Sequence, residues 1–293
     1  MDYLVRATAA DLQIRAFAVT SKELVEQAGQ AHQTSPVATA ALGRTMSGAL
    51  MMADSMLKNE EDVMTIQING DGPLGGIVVT ADHHGHVKGY VHQPEVYLPD
   101  KIKGHLDVGG AVGKGTLTVI RDMGMKDPYV GQIELASGEI GDDLTSYFAV
   151  SEQIPSSVGL GVLVAPDRHV LQAGGFIVQL MPFASEETIS RLEENLKKID
   201  PVTEMLQNGL SPEDMLEKIL DGWNVERNGR TEVSFSCDCS RERVERALIL
   251  LGKKEIGGLI REGKEIELGC SFCGKKYSFT PEDLLRLQAE AHE

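Results

Sequence analysis

Along the first two thirds of the chain, apolar and polar positions alternate in short runs, the period expected of half-buried strands. Ile14–Thr20 reads as a strand, and Ser21 then opens a helical stretch to about Gln33. Ser35-Pro36 sets an N-cap residue before a proline in the first turn, which predicts a second helix through Leu57. That stretch is rich in Ala and Met (Met46, Met51, Met52, Met56), so its stripe is read as core and its burial as nearly all-round. Further strands are predicted at 63–69, 76–81, 87–92, 115–121, 132–135, 158–165 and 176–181. Turns fall at Gly70-Asp71-Gly72-Pro73, at 82–85 and near Asp127-Pro128. Strands that follow one another without intervening helices imply antiparallel pairing, with helices on one face of the sheet.

After Pro182 the texture changes. Ile189, Leu192, Leu196 and Ile199 fall on one helical face, Lys197 and Lys198 lie in the last turn, and Pro201 stops the helix. Ser211-Pro212-Glu213-Asp214 starts another, with Leu216, Ile219 and Leu220 apolar and Gly222 closing it. Residues 185–232 therefore read as a helical, charged connector that must lean on a neighbour, because short isolated helices are marginal in water. From Val233 onward comes a smaller unit: Cys237-Asp238-Cys239, a helix capped by Ser240 and stopped at Gly252, and a short helical piece near 256–261. A hairpin of 265–268 and 275–279 follows, its tip at 269–274, and Thr280-Pro281 opens a last helix carrying Leu284, Leu285 and Leu287. The predicted fold class is α+β. It comprises a large mixed domain with a mainly antiparallel sheet (1–184), a helical linker (185–232) and a small C-terminal zinc-binding domain (233–293).

Charge narrows the partners. The net charge is −16 over 293 residues; from Cys237 to the end, 10 basic residues face 11 acidic ones, leaving 18 against 33 in the first 236. An acidic surface repels phosphate backbones, so nucleic acid is not expected as a partner. No apolar run approaches the roughly 18 residues of a spanning helix, and the N-terminus lacks a signal-peptide pattern. No membrane partner is expected, and a reducing cytoplasm is the default, where thiols outnumber structural disulfides.

All four cysteines, Cys237, Cys239, Cys270 and Cys273, lie in the last unit, and the first 236 residues hold none. The pattern is C-x-C, then C-x-x-C at a hairpin tip followed by Gly274, a knuckle shape. Four thiolates suit one closed tetrahedral zinc ion with no open position for catalysis. So small a domain also needs such a staple. Cysteines spaced i, i+2 or i, i+3 can close local disulfides, so an oxidant that paired them would leave zinc without ligands. The spacing permits a redox switch; a purely structural zinc is the plainer reading. Two other functions fit zinc and thiols: a thiol–disulfide oxidoreductase, which places C-x-x-C at a helix start, and a zinc-ribbon nucleic-acid binder.

These cysteines at this spacing, with Gly115-TLTVIRD, Tyr147-FAVSEQIPSS and Ala173-GGFIVQLMP, resemble the 33 kDa chaperonin family of redox-regulated chaperones across essentially the whole chain. The resemblance implies an ATP-independent holdase, not an enzyme, that is zinc-bound and inactive when reduced. Oxidation in that family joins the neighbours that correspond to Cys237–Cys239 and Cys270–Cys273, releases zinc and unfolds the connecting region. The active form holds unfolding client proteins and dimerises. Residues 185–232, with 248–251, are then the expected client surface.

Other signals carry less. Val108-GGAVGKG lacks the spacing of a phosphate loop and reads as a glycine-rich turn into a strand. Gly159-Leu160-Gly161 lacks the third glycine of a dinucleotide fingerprint. His83, His84 and His86 read as polar residues of a hairpin tip rather than metal ligands. Ser151-Glu152-Gln153 has no histidine arranged as a base, and its polar groups are expected to satisfy buried backbone.

Overall fold

The computed structural model describes residues 1–102 and 104–291. By internal packing the chain divides into two units, Met1–Ser236 and Cys237–Glu293. In the first, β1 (Tyr3–Ala9) and β2 (Ile14–Thr20) form a hairpin, followed by α1 (Lys22–His32) and α2 (Pro36–Met56). Next come β3 (Val63–Gly70), β4 (Ile77–Asp82), β5 (His86–Val91), the short α3 (Val108–Val112), β6 (Gly115–Asp122) and β7 (Tyr129–Glu134). Helix α4 (Ile140–Tyr147) runs into a π-helical turn, Phe148–Glu152, before β8 (Ser156–Val164) and β9 (Val170–Leu180). The unit ends with α5 (Glu186–Leu196), α6 (Val202–Gln207), α7 (Pro212–Ile219), β10 (Glu226–Glu232) and β11 (Ser234–Phe235).

Two sheets organise these elements. One has the order β10-β1-β2-β9-β8, antiparallel throughout; the other has the order β11-β5-β4-β3-β6-β7, antiparallel except where β11 meets β5. The methionine-rich helix α2 is core, as its composition predicts: Met46, Met51 and Met52 are fully buried, together with Phe17 and Ile177 from one sheet and Ile66 and Val79 from the other. Its N-cap position is Ser35, although that side chain makes no capping hydrogen bond. The glycine-rich turn before β6 is steric rather than phosphate-binding. A Cβ on Gly115 would sit 1.8 Å from the Asn69 carbonyl oxygen, and one on Gly70 1.9 Å from that of Val112. The amides there are already engaged: Gly72 donates to Val112 O, and Lys114 donates to Asp71 Oδ1.

Helices cover the first sheet on both faces, not on one. Alternation along β2 turns Phe17 and Val19 toward α2, and Ala16 and Ala18 toward a second core with Phe176 and Val178. From the other side that second core receives Leu192 of α5, Met205 and Leu206 of α6, and Met215, Leu216 and Ile219 of α7. The helices are well started: Ser185 accepts from Thr188 N, and Ser211 with Asp214 forms a capping box. Polar ties fix them to their support. Gln13 Oε1 accepts from Ser185 N at 2.7 Å, and Asn195 Nδ2 donates to Ile219 O at 3.1 Å.

Residues 226–232, expected within a helical connector, instead form the edge strand β10 on β1. Its sequence, ERNGRTE, has no apolar alternation; the backbone ladder and cross-strand contacts hold it, such as Arg230 stacked 3.7 Å over the Tyr3 ring. β1 and the first half of β9 were likewise not anticipated. The β1–β2 turn lacks glycine and uses Ala10, Asp11 and Leu12 at φ of +52°, +51° and +67°, which no sequence punctuation announces.

The second unit contains α8 (Arg241–Leu250), α9 (Lys253–Glu262), the hairpin β12 (Ile266–Gly269) and β13 (Lys276–Phe279), and α10 (Pro281–Glu290). Leu248, Ile256, Tyr277, Phe279, Leu284 and Leu287 make its core. Leu248, expected as client surface, is therefore buried, whereas Leu250 is 83% and Leu251 54% exposed.

Leu216→Ala should open a cavity in the second core and cost about 2–4 kcal/mol of docking stability. Hydrogen exchange would then quicken across 186–219 while α2 stays protected; equal acceleration of both would show that the helices do not open separately.

Candidate metal centre

Each arm of the second unit delivers two sulfurs. Cys237 and Cys239 lie on the extended segment before α8, whose start is fixed by Ser240 accepting from Arg243 N. Asp238, between them, is ion-paired with Arg243. Cys270 and Cys273 lie between β12 and β13, where Gly274 N donates to Cys270 O at 2.8 Å and Gly274 takes φ +71°. Only a residue tolerant of the left-handed region closes this turn cheaply. The two arms are locked by Arg241, which donates to Ser278 O and Asp283 and stacks 4.4 Å over Phe279.

All four thiols are free, and their Sγ atoms lie within 4.8 Å of one another. Cys237 and Cys270 are 3.8 Å apart, and Cys239 and Cys273 3.4 Å. Disulfide-bonded sulfurs would be about 2 Å apart. A tetrahedron with metal–sulfur bonds of about 2.3 Å has edges of about 3.8 Å. The spacing fits sulfurs around one metal ion.

With protons instead of a metal among them, the four thiols titrate as a coupled set. Burial pushes the Cys237 thiol up to about 12, and bonds to the neighbouring sulfurs act in the same direction. Burial also works against ionisation of Cys239, but hydrogen bonds from Tyr277 and the other thiols outweigh it and bring Cys239 down to about 7. Cys273 is raised, chiefly by burial. One thiolate is thus stabilised by its neighbours, and a divalent cation is what would let all four ionise together.

The Hsp33 protein family model matches residues 2–280, all four cysteines included. The chain belongs to the Hsp33 family. A 33 kDa chaperonin of Agathobacter rectalis is 56% identical over 287 residues, covering 98% of this chain and 99% of the relative. One from Clostridioides difficile is 50% identical over 290 residues, with 99% of each covered. The crystal structure of the Hsp33 homologue from Thermotoga maritima superimposes with a TM-score of 0.90 at 38% identity, over 98% of both chains. The α+β expectation stands, and a chaperone rather than an enzyme is what membership of the Hsp33 family points to.

Other residues singled out in the sequence do not converge on a second centre in this Hsp33 chain. His83, His84 and His86 occupy the β4–β5 turn, where Asp82 Oδ1 accepts from the amides of His84 and His86. Among the described residues, the cysteines are the one group placed to hold a metal. Glu152 does not satisfy backbone; it accepts from the Tyr147 hydroxyl at 2.8 Å and pairs with Arg121. Tyr277 was overlooked. Alternation from Lys276 to Phe279 turns it inward beside the cysteines, and its hydroxyl donates to Cys239 Sγ at 3.1 Å.

Under reducing conditions, stripping the metal with a strong chelator should melt residues 237–291, seen as lost exchange protection there. Cys273→Ser should weaken metal binding by at least about 100-fold in a chelator competition; unchanged affinity would mean the metal sits elsewhere.

Proposed function

We propose that this protein is an ATP-independent holdase whose client binding is controlled by a zinc site that oxidation dismantles. The observation that carries this reading is the cluster of four free thiols at tetrahedral spacing. Zinc is the assigned metal, because a closed site of four soft thiolates suits it and leaves no catalytic position. Cys237, Cys239, Cys270 and Cys273 hold one ion in the reduced, inactive chain.

Hydrogen peroxide then oxidises the ligands. In each pair, one sulfur attacks an O–O bond and becomes a sulfenic acid as hydroxide leaves. The neighbouring sulfur displaces the second oxygen as water, forming Cys237–Cys239 or Cys270–Cys273. Each disulfide consumes one peroxide, and zinc departs without ligands. Residues 233–293 lose their staple and the linker 185–232 loosens. The apolar sheet face beneath α5–α7, including Ile14, Phe176 and Val178, becomes available to unfolding clients, and the active form dimerises.

Two other features support a chaperone over the alternatives. Cys270 and Cys273 sit at a hairpin tip, not at the helix start that activates an oxidoreductase thiol. The acidic balance opposes nucleic acid, and no described helix is long and apolar enough to cross a membrane. The reducing cytoplasm is the compartment in which such thiols serve as a sensor.

One sample followed before and after peroxide with mild heating tests the reading. Zinc reported by a chromogenic chelator should leave as the protein begins to suppress light scattering by a heat-unfolded client without ATP, and a thiol reductant with zinc should reverse both. Zinc loss with no holding activity would reduce the metal to a structural staple.

A further inference from the structure

Tyr277 touches the metal centre from outside it. Its backbone is paired with Leu268 across the hairpin, and its ring is 8% exposed in the core formed with Leu248, Phe279, Leu284 and Leu287. That packing aims the hydroxyl across to the opposite arm, where it donates to Cys239 Sγ at 3.1 Å. Lys275 Nζ lies 5.3 Å from the ring centroid and places positive charge beside the phenol. A tyrosine whose body is core and whose single polar atom ends on a ligand sulfur fulfils two roles, and only one of them needs the oxygen.

We propose that Tyr277 is a positioning residue that sets how readily the centre is oxidised, by holding Cys239 as a hydrogen-bonded, less reactive thiolate. This inference rests on the proposed zinc-thiolate switch. A metal bound by four thiolates carries excess negative charge on sulfur, and a hydroxyl donor withdraws part of it. The same lone-pair density attacks the peroxide O–O bond, forming S–O and expelling hydroxide. The hydrogen bond therefore lowers the ground state of the attacking sulfur and slows that step. It also bridges the two arms, so Cys239 is held in place while either neighbour is transiently off the metal.

Tyr277→Phe keeps the ring and removes only the donor. A tenfold change in thiolate basicity alters its nucleophilicity about threefold, so peroxide-driven zinc release from the full-length protein should quicken about 3–10-fold. Packing alone could also change a rate, so a second variant and a second readout are needed. Site-specific 3-fluorotyrosine at 277, a stronger donor of nearly the same shape, should slow release. With cobalt(II) in place of zinc, the sulfur-to-metal charge-transfer band should move to lower energy in Tyr277→Phe and to higher energy with fluorotyrosine. Should Tyr277→Phe not fold, the fluorotyrosine protein decides the matter alone. Unchanged release rates and an unmoved cobalt band in the folded variants would overturn the role of Tyr277. If peroxide does not release zinc from the unaltered protein, the switch itself fails, and the cobalt band still reports whether Tyr277 acts on Cys239.

Discussion

Four sulfurs within 4.8 Å of one another cannot all be thiolates unless something positive lies among them. At such separations each pair of unit charges repels by about 1 kcal/mol even in water, and by more in a less polar surrounding. Protons relieve the repulsion only by neutralising the thiols, and neutral thiols attract one another weakly. A shared divalent cation changes the sign of the interaction, and structural zinc sites of this kind contribute roughly 10–16 kcal/mol to folding. A unit of 57 residues has little else of that size. Its core of Leu248, Ile256, Tyr277, Phe279, Leu284 and Leu287 is small, so those packing contacts depend on the metal before they can add to it.

The first unit shows a second dependence. Its five-stranded sheet is apolar on both faces, and α5, α6 and α7 cover one of them with helices of 11, 6 and 8 residues. Helices so short owe nearly all their stability to the face they bury. The chain continues from them into β10, a polar edge strand, and then β11, only two residues long. The hydrogen bond from Ser236 N to Val87 O, at 2.9 Å, lies one residue before the first metal ligand. Elements with little independent hold thus run directly into the segment whose order depends on the metal.

Much of this was legible because particular residues announce it. Ser35-Pro36 and the alanine and methionine content gave α2, Thr280-Pro281 and Ser211-Pro212 gave two capped helices, and the cysteine spacing gave the centre. What escaped has physical causes. β10 pairs through its backbone and leaves most side chains in solvent, so no periodicity marks it. The turn of Ala10, Asp11 and Leu12 takes left-handed conformations without glycine, and β1 went unread with it. Leu248 and Leu250 are alike in composition; only the packing of α8 makes one core and the other surface. Tyr277 carried a weak signal, an inward aromatic beside a C-x-x-C knuckle, but its bond joins residues 38 apart and needs the folded hairpin to exist.

The placement of the cysteines also bears on which disulfides would act as a switch. In the reduced cluster each arm contributes two sulfurs, and the measured contacts of 3.8 Å and 3.4 Å run between arms, Cys237 to Cys270 and Cys239 to Cys273. Disulfides across those contacts would replace the metal with two covalent links and keep the arms stapled, shortening the loops open to the unfolded chain. Disulfides within each arm, between residues two or three apart, constrain almost nothing beyond their own turn. Oxidation can therefore end in a locked unit or a loosened one from the same four atoms. A switch that releases structure requires pairing within arms, and C-x-C with C-x-x-C places each sulfur nearest in sequence to the partner that provides it.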